Sequence, residues 1–209
     1  MDKRFAIFDM DGTLVDSMGY WARLGREYLE GRGVREGMEP VLAQIESMTM
    51  LEAAALFLRS FGLSGTPEEA VAEMNATMEA HYRRDIPLKP GVSAYLRGLK
   101  DRGVTLCVAS ATAEPLVEAC LSRLGVADCF DFWLSCETVG VGKHRSDIYD
   151  AAAARMGAKP AETAVYEDAL YAARTARAAG YYVVAVYDSN AASRWDELRA
   201  LADEAIVHW

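Results

Sequence analysis

Short apolar runs that stop abruptly at polar residues recur along this chain, and the first is Phe5-Ala6-Ile7-Phe8, which gives way to Asp9-Met10-Asp11-Gly12-Thr13. A continuous apolar segment closed by a polar loop predicts a buried strand. From about Asp16 to Arg84 the pattern changes. Tyr20, Leu24 and Tyr28 fall at four-residue spacing, Leu51 to Leu58 is mostly apolar, and a third helical stretch runs from Glu68 to Tyr82. Three to four helices are predicted, with breaks at Gly31-Arg32-Gly33 and between Gly62 and Pro67. Thr66 is placed to cap the last of them, with Pro67 in its first position and Glu69 three residues after the cap.

Beyond Pro87-Leu88-Lys89-Pro90-Gly91 strand and helix alternate. A helix from about Val92 to Arg102 precedes an apolar strand, Val104 to Ala109, that ends at Ser110. Helices follow up to Leu124, from about Ser146 to Met156, up to Ala179 and up to Ala202. Between and after them lie the strands Phe132–Ser135, Thr163–Tyr166, Tyr182–Tyr187 and Ala205–Val207. Continuous apolar strands alternating with helices predict an α/β fold, a parallel sheet with helices on both faces. The first strand finds partners only in the second half of the chain. Residues 16–86 therefore read as an inserted all-helical segment, residues 1–15 and 87–209 as the sheet-based core, and Pro87 to Gly91 as the return hinge.

Composition narrows the partners. The 209 residues include 52% hydrophobic and 25% charged ones and carry a net charge of −9, as expected for a folded chain with one core and a modest second element. Acidic excess disfavours nucleic acid and anionic membrane surfaces, so neither is an expected partner, and a phosphate-bearing ligand must be recognised locally against the global field. No apolar run approaches the roughly 18 residues of a membrane span. A soluble, cytoplasmic protein, monomeric or weakly dimeric, is expected. Cys107, Cys120, Cys129 and Cys136 contain no C-x-x-C pair and are expected to be reduced, and His81, His144 and His208 are too scattered for a histidine metal site.

Polar residues at the strand ends carry the candidate chemistry. In an open parallel sheet, ligands bind beyond the carboxyl ends of the strands. Four such ends here are Asp9/Asp11, Ser110, the segment before Lys143, and Glu167-Asp168. They suit phosphoryl transfer. Asp9 can act as a carboxylate nucleophile, and Asp11 can protonate a leaving oxygen and later deprotonate water. A cation would keep Asp9 charged beside Asp11, and magnesium suits a site of one or two carboxylates, a carbonyl and a phosphate oxygen, with Asp168 as second carboxylate and Glu167 beside it as a further candidate to touch the metal or its waters, or else to orient other groups. Ser110-Ala111-Thr112 ahead of a helix would supply a hydroxyl and backbone N–H groups, Lys143 an ammonium, and Gly12 a tight loop that turns backbone N–H groups toward the phosphate.

The run Asp9-Met10-Asp11-Gly12-Thr13-Leu14-Val15-Asp16-Ser17 resembles the first motif of the haloacid dehalogenase-like hydrolases. Ser110, Gly142-Lys143 and Glu167-Asp168 follow in the order and approximate spacing of the later three. The resemblance spans essentially the whole chain. It implies a Rossmann-like core with a helical cap over residues 16–86, as in the phosphoglycolate phosphatase and β-phosphoglucomutase branch, and a magnesium-dependent phosphatase acting on a small phosphorylated metabolite. It further implies Asp9 as nucleophile, Asp11 as general acid/base, Ser110 and Lys143 as phosphate ligands, and magnesium on Asp9, the Asp11 carbonyl and Asp168. Departures from the family pattern are Gly142-Lys143-His144 in the third motif, Ala169 and Ala172 in the fourth, and Ala111 in the second.

Two other readings stay open, a sugar phosphomutase and a protein that binds a phosphometabolite without turning it over. Trp21 stands where the family's mutases place a histidine, and no lysine lies between Asp16 and Arg84 to serve a phosphonate hydrolase. Met18, Met38, Met48, Met50, Met74 and Met78 are expected to fill core gaps. Tyr20 and Trp21 are candidates to face the cleft, His144 and Arg145 to touch substrate, and His81 with Arg83-Arg84 to form a solvated helix end.

Overall fold

The computed structural model describes residues 2–45 and 48–209. The chain forms two compact units, Met1–Met18 with Tyr82–Trp209, and Gly19–His81. The first is built on six parallel strands in the order β3-β2-β1-β4-β5-β6. These are β1 (Phe5–Phe8), β2 (Thr105–Ser110), β3 (Phe132–Ser135), β4 (Thr163–Glu167), β5 (Tyr182–Val186) and β6 (Glu204–Ile206). The last strand begins one residue earlier than its apolar pattern suggests.

Side chains alternate across the sheet, and both sets are apolar. Ile7 is level with Cys107 and Val165, and Val165 with Val183. On that face they pack with Ile148, Tyr149, Ala152 and Ala153 of a helix over Asp147–Arg155, and with Ala173 and Ala176 of another over Leu170–Ala178. The alanines keep these helices close to the sheet. On the alternate positions Phe8 stacks on Tyr166, ring centroids 4.1 Å apart, and Trp209 and Tyr95 join them. With both faces covered, the four central strands β1, β2, β4 and β5 read as largely apolar runs, while β3 and β6 at the sheet edges are less buried.

Strand β1 has β2 on one side and β4 on the other, so the strand order reverses around it. A crevice opens beyond the carboxyl ends of such strands. The Asp9 N–H donates to the Tyr166 carbonyl at 3.0 Å, which extends the β1–β4 pairing one residue and sets Asp9 beside Glu167.

In the second unit, one helix spans Met18–Gly31, of which Gly19 onward belongs to this unit, and another spans Met50–Phe61. They approach closely at Gly25, where a Cβ would lie 2.9 Å from the Phe57 ring. Thr49 and Glu52 form a capping box at the second helix. Thr66 and Glu69 exchange equivalent bonds of 2.8 and 3.2 Å at the start of Pro67–Arg84, as the sequence pattern predicts. A short additional helix, Glu39–Leu42, has no periodic signature. His81 is not a solvated helix end. Its ring bonds Glu27 at 2.9 Å and meets Tyr20 edge-on at 4.8 Å. Met38, Met74 and Met78 are buried, in keeping with a packing role, while Met48 is exposed.

Candidate active site

Asp9 leaves the tip of β1 only 6% exposed. Lys143, 4% exposed, donates its ammonium both to Asp9 Oδ1 and, at 2.7 Å, to Glu167 Oε1. Lys143 reaches this position from the loop between a short helix, Cys136–Val139, which ends at left-handed Gly140, and the helix Asp147–Arg155. The Tyr149 hydroxyl adds a second donor to Glu167 Oε1 at 2.7 Å. Asp168 follows Glu167 at the end of β4 and accepts from Thr13 Oγ1 at 3.2 Å. Asp9, Glu167 and Asp168 each offer an oxygen within 4.8 Å of the others, and all three are buried.

Electrostatically this centre is short of positive charge. Burial raises the Asp9 carboxyl well above the ordinary carboxylate range. Lys143 opposes that shift, and Glu167, Asp168 and Asp11 add to it. Asp168 is pushed up to about 7, first by burial, then by Glu167 and Asp188, against Lys143 and Lys89. Burial alone would lower Lys143, but Asp9 and Glu167 more than offset it, so the ammonium stays raised and charged. The buried acidic cluster can hold a metal ion. Its donors are all carboxylate oxygens, which suits a hard cation, and added positive charge relieves the repulsion just described.

Gly12 shapes the loop after β1, and its N–H donates to the Val15 carbonyl at 3.0 Å. The residue is needed because its φ is +78° and because Asp168 lies directly against it: a Cβ there would be 2.7 Å from Asp168 Cγ. The Gly12 carbonyl accepts from Lys89 Nζ, which also binds the Tyr187 carbonyl at 2.8 Å and Asp188 at 2.9 Å.

Ser110, fully buried at the end of β2, accepts from the Thr112 N–H at 3.0 Å. It is not a helix cap. The following helix spans Glu114–Arg123 with Ala113 as its N-cap, so Ser110 closes β2 and exposed Ala111 lies in the loop between strand and helix. The Asp11 carboxylate is held apart from the metal-accepting group. Its Oδ1 accepts from Ser17 at 2.7 Å and from Tyr82 at 2.6 Å, and its Oδ2 from Thr112 at 2.7 Å.

His144 and Arg145 are exposed and line a surface groove with Arg174 and Thr175, whose lining includes none of Asp9, Glu167 or Asp168. Sequence reasoning passed over Lys89, Asp188, Tyr149 and Tyr82. Of these only Asp188 left a usable signal: it closes the apolar run Tyr182–Tyr187 much as Asp9 closes the first run. All four cysteines are free, and Cys136 is the one left half-exposed.

The fold is an α/β one that gathers buried carboxylates and one lysine at the switch point of a parallel sheet. The chain belongs to the haloacid dehalogenase-like hydrolase family, whose model matches residues 4–180. It is 29% identical over 194 residues to the fructose-1-phosphate phosphatase YqaB of Escherichia coli, covering 89% of this chain and 98% of that one. It is 30% identical to the bifunctional riboflavin kinase/FMN phosphatase of Arabidopsis thaliana over 86% of this chain, and spans about half, 47%, of that longer protein. A crystal structure of a putative β-phosphoglucomutase from Thermotoga maritima shares the fold, with a TM-score of 0.82 at 22% identity over 97% of this chain and 94% of that one. No helix of the described residues is long and apolar enough to cross a membrane.

Proposed function

We propose that this chain is a magnesium-dependent phosphatase that hydrolyses a small sugar or polyol phosphate through an aspartyl-phosphate on Asp9. The observation that carries the reading is the convergence of Asp9, Lys143, Glu167 and Asp168 at the tips of β1 and β4. Substrate class rests on the fructose-1-phosphate phosphatase relative.

In the first half-reaction Asp9 attacks phosphorus and the bond to the leaving oxygen breaks, with Asp11 delivering a proton to that oxygen. In the second, Asp11 takes a proton from water, the water oxygen attacks the phosphoryl group, and inorganic phosphate leaves with Asp9 restored. Lys143 and the Ser110 hydroxyl hold the non-bridging oxygens. Magnesium, when bound to Asp9, the Asp11 carbonyl and Asp168, supplies charge neutralisation to the transferring group. Glu167, already tied to Lys143 and Tyr149, orients that lysine. The division into a core of residues 1–15 and 87–209 and a cap of residues 16–86 is part of the same proposal.

The test is phosphate release from a panel of sugar, polyol and glycolate phosphates with and without magnesium, alongside Asp9→Asn. Release by the parent with magnesium, and near-background release by the variant, is expected. No magnesium-dependent turnover of any phosphoester would sink the reading, and hexose-phosphate isomerisation in preference to hydrolysis would replace it with a mutase.

A further inference from the structure

We infer that Tyr82 is a positioning residue for the acid/base Asp11, and that with Ser17 and Thr112 it restricts proton transfer to one remaining site on Asp11 Oδ2. The inference rests on the acid/base reading of Asp11 given above.

A carboxylate offers about four lone-pair sites, two on each oxygen. Oδ1 of Asp11 accepts two hydroxyls, Ser17 at 2.7 Å and Tyr82 at 2.6 Å. Oδ2 accepts one, Thr112 at 2.7 Å. Each hydroxyl has a single proton, and both Tyr82 and Thr112 give theirs to Asp11, so the 3.2 Å approach between their oxygens closes a triangle around the carboxylate. Three of the four sites are thereby filled by neutral donors. A proton bound for the leaving group, or taken from water, has the fourth.

Tyr82 is the strongest constraint in this arrangement. The residue is 1% exposed, the shortest of the three bonds is its own, and its ring cannot rotate the hydroxyl away without leaving a packed position. Arg123 fixes the backbone behind it, through Nε to the Tyr82 carbonyl at 3.0 Å and Nη2 to the Ile86 carbonyl. A buried phenol anchored from behind and aimed at the reacting carboxylate selects a rotamer and a reacting oxygen. It exchanges no proton with substrate.

This role has a signature that a purely structural one lacks. General acid catalysis matters for an alkoxide leaving group and hardly at all for p-nitrophenolate, which departs unprotonated. The measurement is kcat/KM, which reports the first half-reaction, for the alkyl phosphate turned over best in the panel and for p-nitrophenyl phosphate. Parent, Tyr82→Phe and Asp11→Asn are compared, with thermal melts to verify folding. Tyr82→Phe keeps the ring and is expected to lower kcat/KM about tenfold on the alkyl phosphate and less than about twofold on p-nitrophenyl phosphate. Asp11→Asn is expected to show the same contrast enlarged to about 100-fold or more. Equal losses on both substrates with Tyr82→Phe, or none on the alkyl phosphate, would overturn the inference while Asp11→Asn still shows the contrast. If Asp11→Asn shows no contrast, the acid/base reading fails and takes the role of Tyr82 with it.

Discussion

Gly12 is the residue on which the geometry of the carboxylate group most depends. At φ +78° a side chain costs roughly 1–2 kcal/mol in backbone strain. Its Cβ would also press on Asp168 and stand 3.0 Å from Met18 Cγ. Gly12→Ala is therefore expected to lose about 2 kcal/mol or more of stability and, by displacing Asp168, to raise the magnesium concentration for half-maximal phosphate release by more than about tenfold. An unchanged magnesium titration would show that Asp168 does not depend on this contact. The site's charged members could be read from the sequence because a buried strand must end somewhere, and its polar end residue has few places to go but the rim. Tyr82 and Thr112 could not be read that way. They lie 71 and 101 residues from Asp11, and nothing in a local pattern says which hydroxyl will fold back onto it.

At the level of elements, the apolar runs made the strands legible, and two-sided burial made them parallel and helix-covered. What the pattern left out was the contribution of β5. Its terminal run, read as apolar to Tyr187, leads to buried Asp188, which pairs with Lys89 of the return segment and so ties β5 to the Gly12 loop of β1. The lysine could be read only as part of a hinge, because its partners are two carbonyls and a carboxylate that only the folded sheet assembles. Lys89→Met removes the ammonium and leaves the Asp188 carboxylate buried without it. Breaking such a pair from one side costs about 3–5 kcal/mol. Replacing both partners, Lys89→Met with Asp188→Leu, is expected to recover part of that loss in urea unfolding. A double variant as unstable as the sum of its singles would refute the coupling.

Across the whole molecule the net charge of −9 and the repulsion among Asp9, Glu167 and Asp168 act in the same direction, and both make a bound cation stabilising. The sign follows from Asp168, whose carboxyl is raised from 3.8 to about 7 by burial first and then by Glu167 and Asp188. In the metal-free protein the folded state holds this proton more tightly than the unfolded chain. No penalty arises below the unfolded value, and stability is lost as pH rises from there through about 7. Magnesium requires the ionised carboxylate, so it competes with the proton and removes the penalty where the penalty is largest. Saturating magnesium should raise the melting temperature more at about pH 8 than at about pH 5.5, and binding near pH 6 should release a proton detectable by calorimetry in buffers of different ionisation enthalpy. Asp168→Asn should abolish most of both effects. Equal stabilisation at the two pH values in the parent protein would mean that the cation, if it binds, is not held by the carboxylate whose proton it was expected to displace.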